Sequence, residues 1–278
     1  MSYKDILVHI DETPSAALRA SAAAELARRF RAQLIGVFLT SDFMQQPGAG
    51  EGLAFMPPPD IDAIIKGHAD AVAERAEAAR MVFERAAGEG RTASNWLTCD
   101  GDFDDYLLQC ARRVDLTVMG RSAHACLGGN RVSAAQVALG SGGPVLVTPD
   151  DDYAAPIGQR VLVAWNGSRE AARALRDAWP IIGGAQEFHV LVVSPQGEGG
   201  PDSLLQRHFE RHGRKVDLIV DPADDESAAE VIERNVAELD IDLVVMGLYG
   251  RPRLQELVLG GVSRRILDRL PVPVFVSH

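Results

Sequence analysis

The sequence predicts an α/β fold built from two tandem Rossmann-like domains, each an open parallel five-stranded sheet with helices on both faces. Short apolar segments alternate with amphipathic segments along the 278 residues, a pattern typical of parallel strands that are covered on both sides. The same order of segments occurs twice, which indicates a duplication. Residues 1–150 are called copy one and residues 158–278 copy two, and 150–157 is expected to be a linker.

Each copy begins with an apolar strand, a turn of small residues, an Ala-rich helix and a second strand. These segments are 5–11, 13–30 and 32–39 in copy one, and 160–166, 167–182 and 185–193 in copy two. Right-handed crossovers make such consecutive strands parallel neighbours.

The second half of each copy contains a third strand, a helix, a fourth strand and a closing strand. They are expected at 93–100, 103–113, 115–120 and 144–149 in copy one, and at 215–221, 226–239, 242–247 and 273–278 in copy two. The fourth strands are nearly identical, DLTVMG and DLVVMG. Copy one carries an insertion over 40–67 that leads into a long helix over 60–88. The insertion is a candidate lid or partner surface, or simply a flexible loop.

Composition excludes several classes of function. The formal net charge is −11 and both halves are acidic, which disfavours binding to nucleic acid or to an anionic membrane. Three cysteines without a CxxC pair argue against a disulfide framework or a structural zinc site. With no signal-peptide pattern and no apolar segment of about 18 residues, the expected location is the cytoplasm.

A ligand is expected beyond the carboxyl ends of the strands, where strand order reverses. In copy two these ends are Ala164, Trp165 and Asn166 after the first strand, and Met246 after the fourth. The loop GLYGRPRLQELVLGGVS then contains four glycines and leads to a serine just before an Arg-rich helix; these are Gly247, Gly250, Gly260, Gly261 and Ser263.

Glycines and a helix N-terminus suit a phosphate group. Glycine lets the backbone approach a ligand closely, and the first helical N–H groups have no intrahelical partner. The alternative interpretation is an ordinary turn at Gly260 and Gly261 with Ser263 as the helix N-cap.

These segments resemble the universal stress protein family, and the resemblance covers nearly the whole chain twice, as in tandem members. ATP-binding members share the pattern G-x2-G-x9-G-[ST]. Copy two matches it with Gly247, Gly250 and Gly260, departs from it at Gly261, and has a hydroxyl two residues later at Ser263.

The resemblance implies further contacts in copy two. Asn166 replaces the Asp that faces the ribose or adenine, whereas copy one keeps this residue as Asp11. Val192 and Met246 match positions that line the adenine pocket. Trp165 can stack on a base or pack between the copies. Val262 is expected near the phosphates. Arg251 and Arg253 can pair with the phosphates or lie on a solvated surface.

Copy one lacks most of this loop. Ala123 stands where the second glycine is expected, and the segment between Gly120 and Gly129 is shorter than its counterpart in copy two. We therefore predict at most one nucleotide site, in copy two, with copy one as a pseudo-dimer partner within the chain. A homodimer of the whole protein is also compatible with the sequence.

Three functions remain open at this point. The first is a stress-response regulatory protein that binds ATP or a related adenine nucleotide, with Mg²⁺, and the second is a module that binds a protein partner without nucleotide. A weak ATP hydrolase ranks last because no general base is evident. The sequence has no GxxxxGK[ST] motif, and His208 and His212, spaced as metal ligands on a helix, have no evident third ligand.

Overall fold

The computed structural model describes residues 2–40, 56–88, 92–99, 103–124, 126–127, 131–151, 153, 156–194, 203–223, 226–248 and 261–278. The chain forms two compact units, Tyr3–Ser141 and Gly142–His278, the second of which includes the first two residues. The predicted copies and linker concern the duplication of the sequence, and their boundaries stay a prediction.

The first unit contains a parallel sheet and an antiparallel hairpin. Its elements are β1 (Asp5–His9), α1 (Ser15–Phe30), β2 (Gln33–Leu39), α2 (Pro58–Gly88), β3 (Ser94–Cys99), α3 (Phe103–Ala111), β4 (Leu116–Met119), β5 (Ser122–His124), β6 (Arg131–Ser133) and α4 (Ala134–Ser141). The sheet has the order β4-β1-β2-β3, and its strands are parallel. The hairpin pairs β5 with β6.

The second unit repeats this arrangement and adds one antiparallel strand. Its elements are β7 (Val145–Val147), β8 (Arg160–Ala164), α5 (Arg169–Ile182), β9 (Glu187–Val193), α6 (Ser203–Arg211), β10 (Asp217–Asp221), α7 (Ala228–Glu238), β11 (Leu243–Gly247), α8 (Gly261–Arg269) and β12 (Val274–Ser277). The order is β10-β9-β8-β11-β12-β7. All neighbours are parallel except β12 and β7.

Burial explains why these segments form strands and helices. The central strands are apolar and buried along most of their length, as in Leu243–Met246 of β11, because helices cover both faces of a parallel sheet. In α5 the buried residues Ala171, Ala174, Leu175 and Ala178 recur at helical spacing and form one apolar face. The predicted α/β class with parallel sheets is confirmed.

Two elements differ from a simple repeat. The closing strand predicted for copy one is present as β7, but it pairs antiparallel with β12, with Val147 opposite Val274. The β5–β6 hairpin was not predicted, because strands of three residues are too short to give a periodic pattern. No helix in the described part of the chain is long and apolar enough to cross a membrane.

The duplication is visible in a matched pair of aspartates that precede equivalent strands. Asp115, before β4, accepts the backbone N–H groups of Lys4 (2.6 Å) and Asp5 (3.1 Å). Asp242, before β11, accepts those of Gly158, Gln159 and Arg160 at 2.6–3.1 Å. Each carboxylate ties the beginning of its first strand to that of its fourth.

Candidate functional site

The carboxyl ends of the parallel strands in the second unit meet at one edge of its sheet. Ala164, the last residue of β8, is in register with Leu191 of β9 and with Met246 of β11. The pairing continues for one more residue, because the Trp165 N–H donates to the Leu191 carbonyl at 2.8 Å. Met246 is buried, whereas Ala164, Trp165 and Val192 are half-buried. The structure thus brings these predicted site residues to one partly open edge.

The turn after β8 exposes a polar side chain. The Asn166 side-chain oxygen accepts the N–H of Ser168 at 3.1 Å across Gly167, which has φ +72°. Ser168 is the N-cap of α5, and its hydroxyl accepts the Ala171 N–H at 3.2 Å. Among the described residues the Asn166 amide nitrogen has no hydrogen-bond partner, so it can donate to a ligand hydroxyl.

Gly247 has a packing role that the sequence did not predict. A Cβ on Gly247 would lie 2.8 Å from the Glu170 Cβ and closer still to the backbone of Glu170 and Ala171. Helix α5 therefore packs its first turn directly on the end of β11, and only glycine allows this approach.

Sequence reasoning missed Glu170, which lies beside Gly247 in the first turn of α5 and is 6% exposed. Burial acts to raise the pKa of this carboxyl, but the Arg169 side chain, hydrogen-bonded to it, holds the pKa below its ordinary value. A negative charge at a helix N-terminus is stabilised by the helix dipole. The acid in the first turn was the available signal.

Helix α8 begins at Gly261, so Ser263 lies inside its first turn rather than before it, which corrects the predicted position. Ser263 is buried, Val262 is half-buried and Gly261 is exposed. The predicted residues Gly250, Arg251, Arg253 and Gly260 lie outside the described residues. Neither Gly260 nor Gly261 has a side chain that could accept a hydrogen bond from the first N–H groups of α8.

His208 and His212 pack with an aromatic residue. Their ring centroids are 4.6 Å apart, and Trp179 of α5 lies 4.6 Å from the His212 ring and 6.4 Å from the His208 ring. Burial, with the neighbouring His212 and Arg211, lowers the pKa of His208. The described residues include no group of three His, Cys, Asp or Glu side chains arranged to hold a metal ion. Packing on Trp179 accounts for the pair.

In the first unit an arginine fills the corresponding crevice. Arg19 of α1 is 1% exposed. Its Nε donates to the His9 carbonyl at 2.7 Å, and its Nη2 lies 2.8 Å from the Asp11 carboxylate. A Cβ on Gly120, the equivalent of Gly247, would lie 3.0 Å from Nη1 of Arg19. The guanidinium therefore lies between the ends of β1 and β4.

Asp11 is engaged within the protein. Burial alone would raise the pKa of its carboxyl, but Arg19, with His9 and Thr13, holds that pKa below its ordinary value. The Thr13 N–H and hydroxyl also donate to the Asp11 carboxylate. The predicted ribose-facing position is thus kept in copy one, but its charge is balanced by an internal cation.

The chain itself also lies over the end of β2 in the first unit. The Cys126 N–H donates to the carbonyl of Leu39, the last residue of β2, at 2.8 Å. Burial, and then the Glu12 carboxylate, raise the pKa of the Cys126 thiol to about 12, and Arg75 of α2 forms an ion pair with Glu12. The thiol is therefore protonated at neutral pH.

Helix α4 closes its own N-terminus. Ser133 precedes the helix, and its hydroxyl accepts the Gln136 N–H at 3.2 Å. The Gln136 side chain in turn accepts the Ser133 N–H at 2.8 Å. This reciprocal cap occupies N–H groups that an anion would otherwise bind.

The chain has similarities to one protein family. Residues 223–278 match the family described as universal stress protein, and no curated protein matches the chain. A universal stress protein from Archaeoglobus fulgidus DSM 4304 is 20% identical, with 98% of this chain and 97% of that chain covered and a TM-score of 0.71. A putative universal stress protein from Pseudomonas aeruginosa UCBPP-PA14 is 17% identical, with 99% and 93% covered and a TM-score of 0.57. At such identities the solved structures show a shared fold.

Proposed function

We propose that this chain, a tandem member of the universal stress protein family, is a stress-response regulatory protein whose copy two binds ATP or a related adenine nucleotide. The family match over 223–278 includes the end of the predicted loop and the helix that follows it. The fold of solved universal stress proteins extends over nearly the whole chain.

The convergence at the carboxyl edge of the second unit carries the nucleotide proposal. Ala164 and Met246 are neighbours in register, and Gly247 ends β11. Helix α8, which begins at Gly261, follows in the chain. The G-x2-G-x9-G spacing lies between these two elements, and a helix that follows a parallel strand begins at the strand's carboxyl edge.

Each residue would then have a defined role. The Asn166 amide would donate to a ribose hydroxyl, while Val192 and Ala164 would pack against the base. The first N–H groups of α8 and the Ser263 hydroxyl would face the phosphates. Mg²⁺, if bound with the nucleotide, would supply positive charge beside the phosphates. Glu170, whose Cβ lies close to Gly247, already has its carboxylate paired with Arg169.

We expect no nucleotide in copy one. Arg19 fills the space between β1 and β4, Asp11 is paired with it, and α4 is capped by Gln136. The antiparallel pairing of β7 from copy one with β12 from copy two supports a pseudo-dimer within one chain. Cys99, Cys110 and Cys126, all within the described residues, form no disulfide, which fits the proposed cytoplasmic location.

A second candidate is a module that binds a protein partner and no nucleotide. Two observations favour it: Gly247 is explained by the approach of α5, and Gly261 replaces the hydroxyl residue of the ATP-binding pattern. A weak ATP hydrolase ranks below both.

The experiment is mass spectrometry of small molecules released from the denatured protein, followed by calorimetric titration with ATP and Mg²⁺. We expect one site per chain, lost in Gly260→Arg, because an arginine there would enter the phosphate loop. Arg28→Ala, on the exposed surface of α1, is the control and should bind normally. Absence of both bound nucleotide and binding heat would favour the protein-partner alternative.

A further inference from the structure

The forked side chain of Arg265 joins helix α8 to helix α7. The guanidinium of Arg265 places Nε 2.9 Å and Nη2 2.8 Å from the two carboxylate oxygens of Glu233. Its Nη1 donates to Glu230 at 2.9 Å. A planar guanidinium that meets a carboxylate through two parallel bonds fixes orientation as well as distance.

The same contact reaches the N-terminus of α7. The second carboxylate oxygen of Glu230 accepts both the N–H and the hydroxyl of Ser227, each at 2.8 Å, and Ser227 caps α7 in return. The Ser227 groups, followed by Arg265, lower the pKa of Glu230 to about 2. Glu230 is therefore ionised at neutral pH and links the cap of α7 to the first turns of α8.

The position of Arg265 gives this contact a consequence for the proposed site. Arg265 follows Gly261 by one helical turn and therefore lies on the same face of α8. The two glycines before it provide no side chain to hold the beginning of the helix. Any lateral movement of α8 would displace the N–H groups that the proposed function directs at the phosphates.

We propose that Arg265 is the positioning residue of the phosphate end of the copy-two site, because it holds the first turn of α8 against α7. This inference rests on the proposed nucleotide function. Arg265 itself does not contact the nucleotide. Its influence is on the phosphate part of the ligand, whereas the adenosine part would bind the ends of β8 and β9.

The same helix offers a matched control. Arg234 of α7 also holds two carboxylates, Asp221 at 2.8 Å and Glu226 at 2.9 Å. Its side chain is 37% exposed and that of Arg265 is 31% exposed. Its described ion pairs are with Asp221 and Glu226, which precede α7, and with Glu238 at the end of α7 itself, and none of them involves α8. Removal of Arg234 therefore changes charge and local stability to a similar degree without releasing α8.

The experiment compares Arg265→Met, Arg265→Lys and Arg234→Met in the full chain. Calorimetry measures the affinity for ATP and for adenosine, and hydrogen exchange measures protection of the α8 amides. For Arg265→Met we expect ATP affinity to fall by about tenfold, the order seen when a supporting contact behind a bound group is lost. Adenosine affinity should stay within about twofold, and the α8 amides should exchange faster. Arg265→Lys should give values between those of Arg265→Met and the unaltered protein. Arg234→Met should match the unaltered protein in ATP affinity, adenosine affinity and exchange of the α8 amides.

The outcomes separate two failures. If the unaltered chain binds ATP and Arg265→Met binds it equally well, Arg265 is not a positioning residue and the proposed function stands. Unchanged α8 exchange in Arg265→Met would also overturn the inference. If the unaltered chain binds neither ATP nor adenosine, the proposed function is wrong and this inference falls with it.

Discussion

The two copies differ most at one position of their first helices. In copy one this position is Arg19, whose guanidinium extends under Gly120 and meets Asp11 and the His9 carbonyl. In copy two it is Ala174, which is fully buried, and α5 packs its backbone directly on Gly247. In copy one the Arg19 side chain thus fills the space next to the fourth strand. In copy two the close packing of α5 leaves no such space.

The comparison shows how two units can share a scaffold while their carboxyl edges differ. Both copies keep the aspartate that ties their first and fourth strands, Asp115 and Asp242. The copies diverge at the carboxyl edge, where Asp11 has an internal cation and Asn166 has a free amide donor within the described residues. The last helices of the two copies also differ. Gln136 caps the N-terminus of α4, whereas α8 begins with a glycine.

Replacing Arg19 by the residue of copy two should have the largest effect. Arg19→Ala leaves the Asp11 carboxylate, whose side chain is only 10% exposed, without its main counter-charge, which costs about 3–5 kcal/mol of the free energy of unfolding. Urea denaturation measures this loss. Arg28→Ala, on the exposed side of the same helix, should change it by less than about 0.5 kcal/mol. A similar small loss for both variants would mean that Arg19 is not the structural centre of the copy-one crevice.

The paired aspartates give the next largest difference. Asp242 is 4% exposed, so Asp242→Ala leaves three N–H groups at the start of β8 without an acceptor and should cost about 3 kcal/mol. Asp115 is exposed and accepts two such groups, which water can replace, so Asp115→Ala should cost about 1 kcal/mol. The urea denaturation midpoints of Asp242→Ala and Asp115→Ala measure the two losses. Equal losses would contradict the inference that burial separates them.

The paired glycines test the close approach of α5. Gly247→Ala forces a Cβ against the backbone of Glu170 and Ala171, and overpacking of this kind costs about 1–3 kcal/mol. Gly120→Ala meets only the end of the Arg19 side chain at 3.0 Å, so we expect about half that loss. Thermal unfolding of the two variants compares them. A larger loss for Gly120→Ala would reverse the packing argument.

The smallest effect is a pH dependence specific to copy one. Because the pKa of Asp11 is lowered in the folded protein, its stabilisation is fully present above the unfolded value of about 3.9 and is lost as pH falls through the folded pKa. The stability difference between the unaltered protein and Arg19→Ala should therefore shrink below about pH 4. Urea midpoints at pH 7 and at pH 3 measure it. A constant difference would show that Asp11 does not titrate with this partner.

Much of the fold followed from local pattern. The long helix α2 and the parallel strands were expected because apolar runs and helical periodicity are properties of neighbouring residues. The β5–β6 hairpin was not expected, because strands of three residues are too short to show a period. A pseudo-dimer of the two copies was expected, but the antiparallel register of β7 against β12 was not, because the two strands lie far apart in the chain.

The candidate site was predicted in part. Asn166 and Met246 lie at the expected edge because a strand's carboxyl end can be located from its apolar run. Arg19 and Glu170 were missed because an arginine or glutamate in a helix usually faces solvent. Only the packing of α1 and α5 on their sheets shows that these two are buried.

The sequence by itself determined the duplication, the α/β class, the glycine spacing after β11 and the acidic character of both halves, since these depend on residue order and composition. Only the tertiary structure decided that Arg19 fills the crevice of copy one, that Gly247 receives the backbone of α5, and that Arg265 joins α8 to the cap of α7. The physical reason is that each of these contacts joins residues far apart in the chain. Burial, which sets whether a charge is balanced or solvated, exists only after folding.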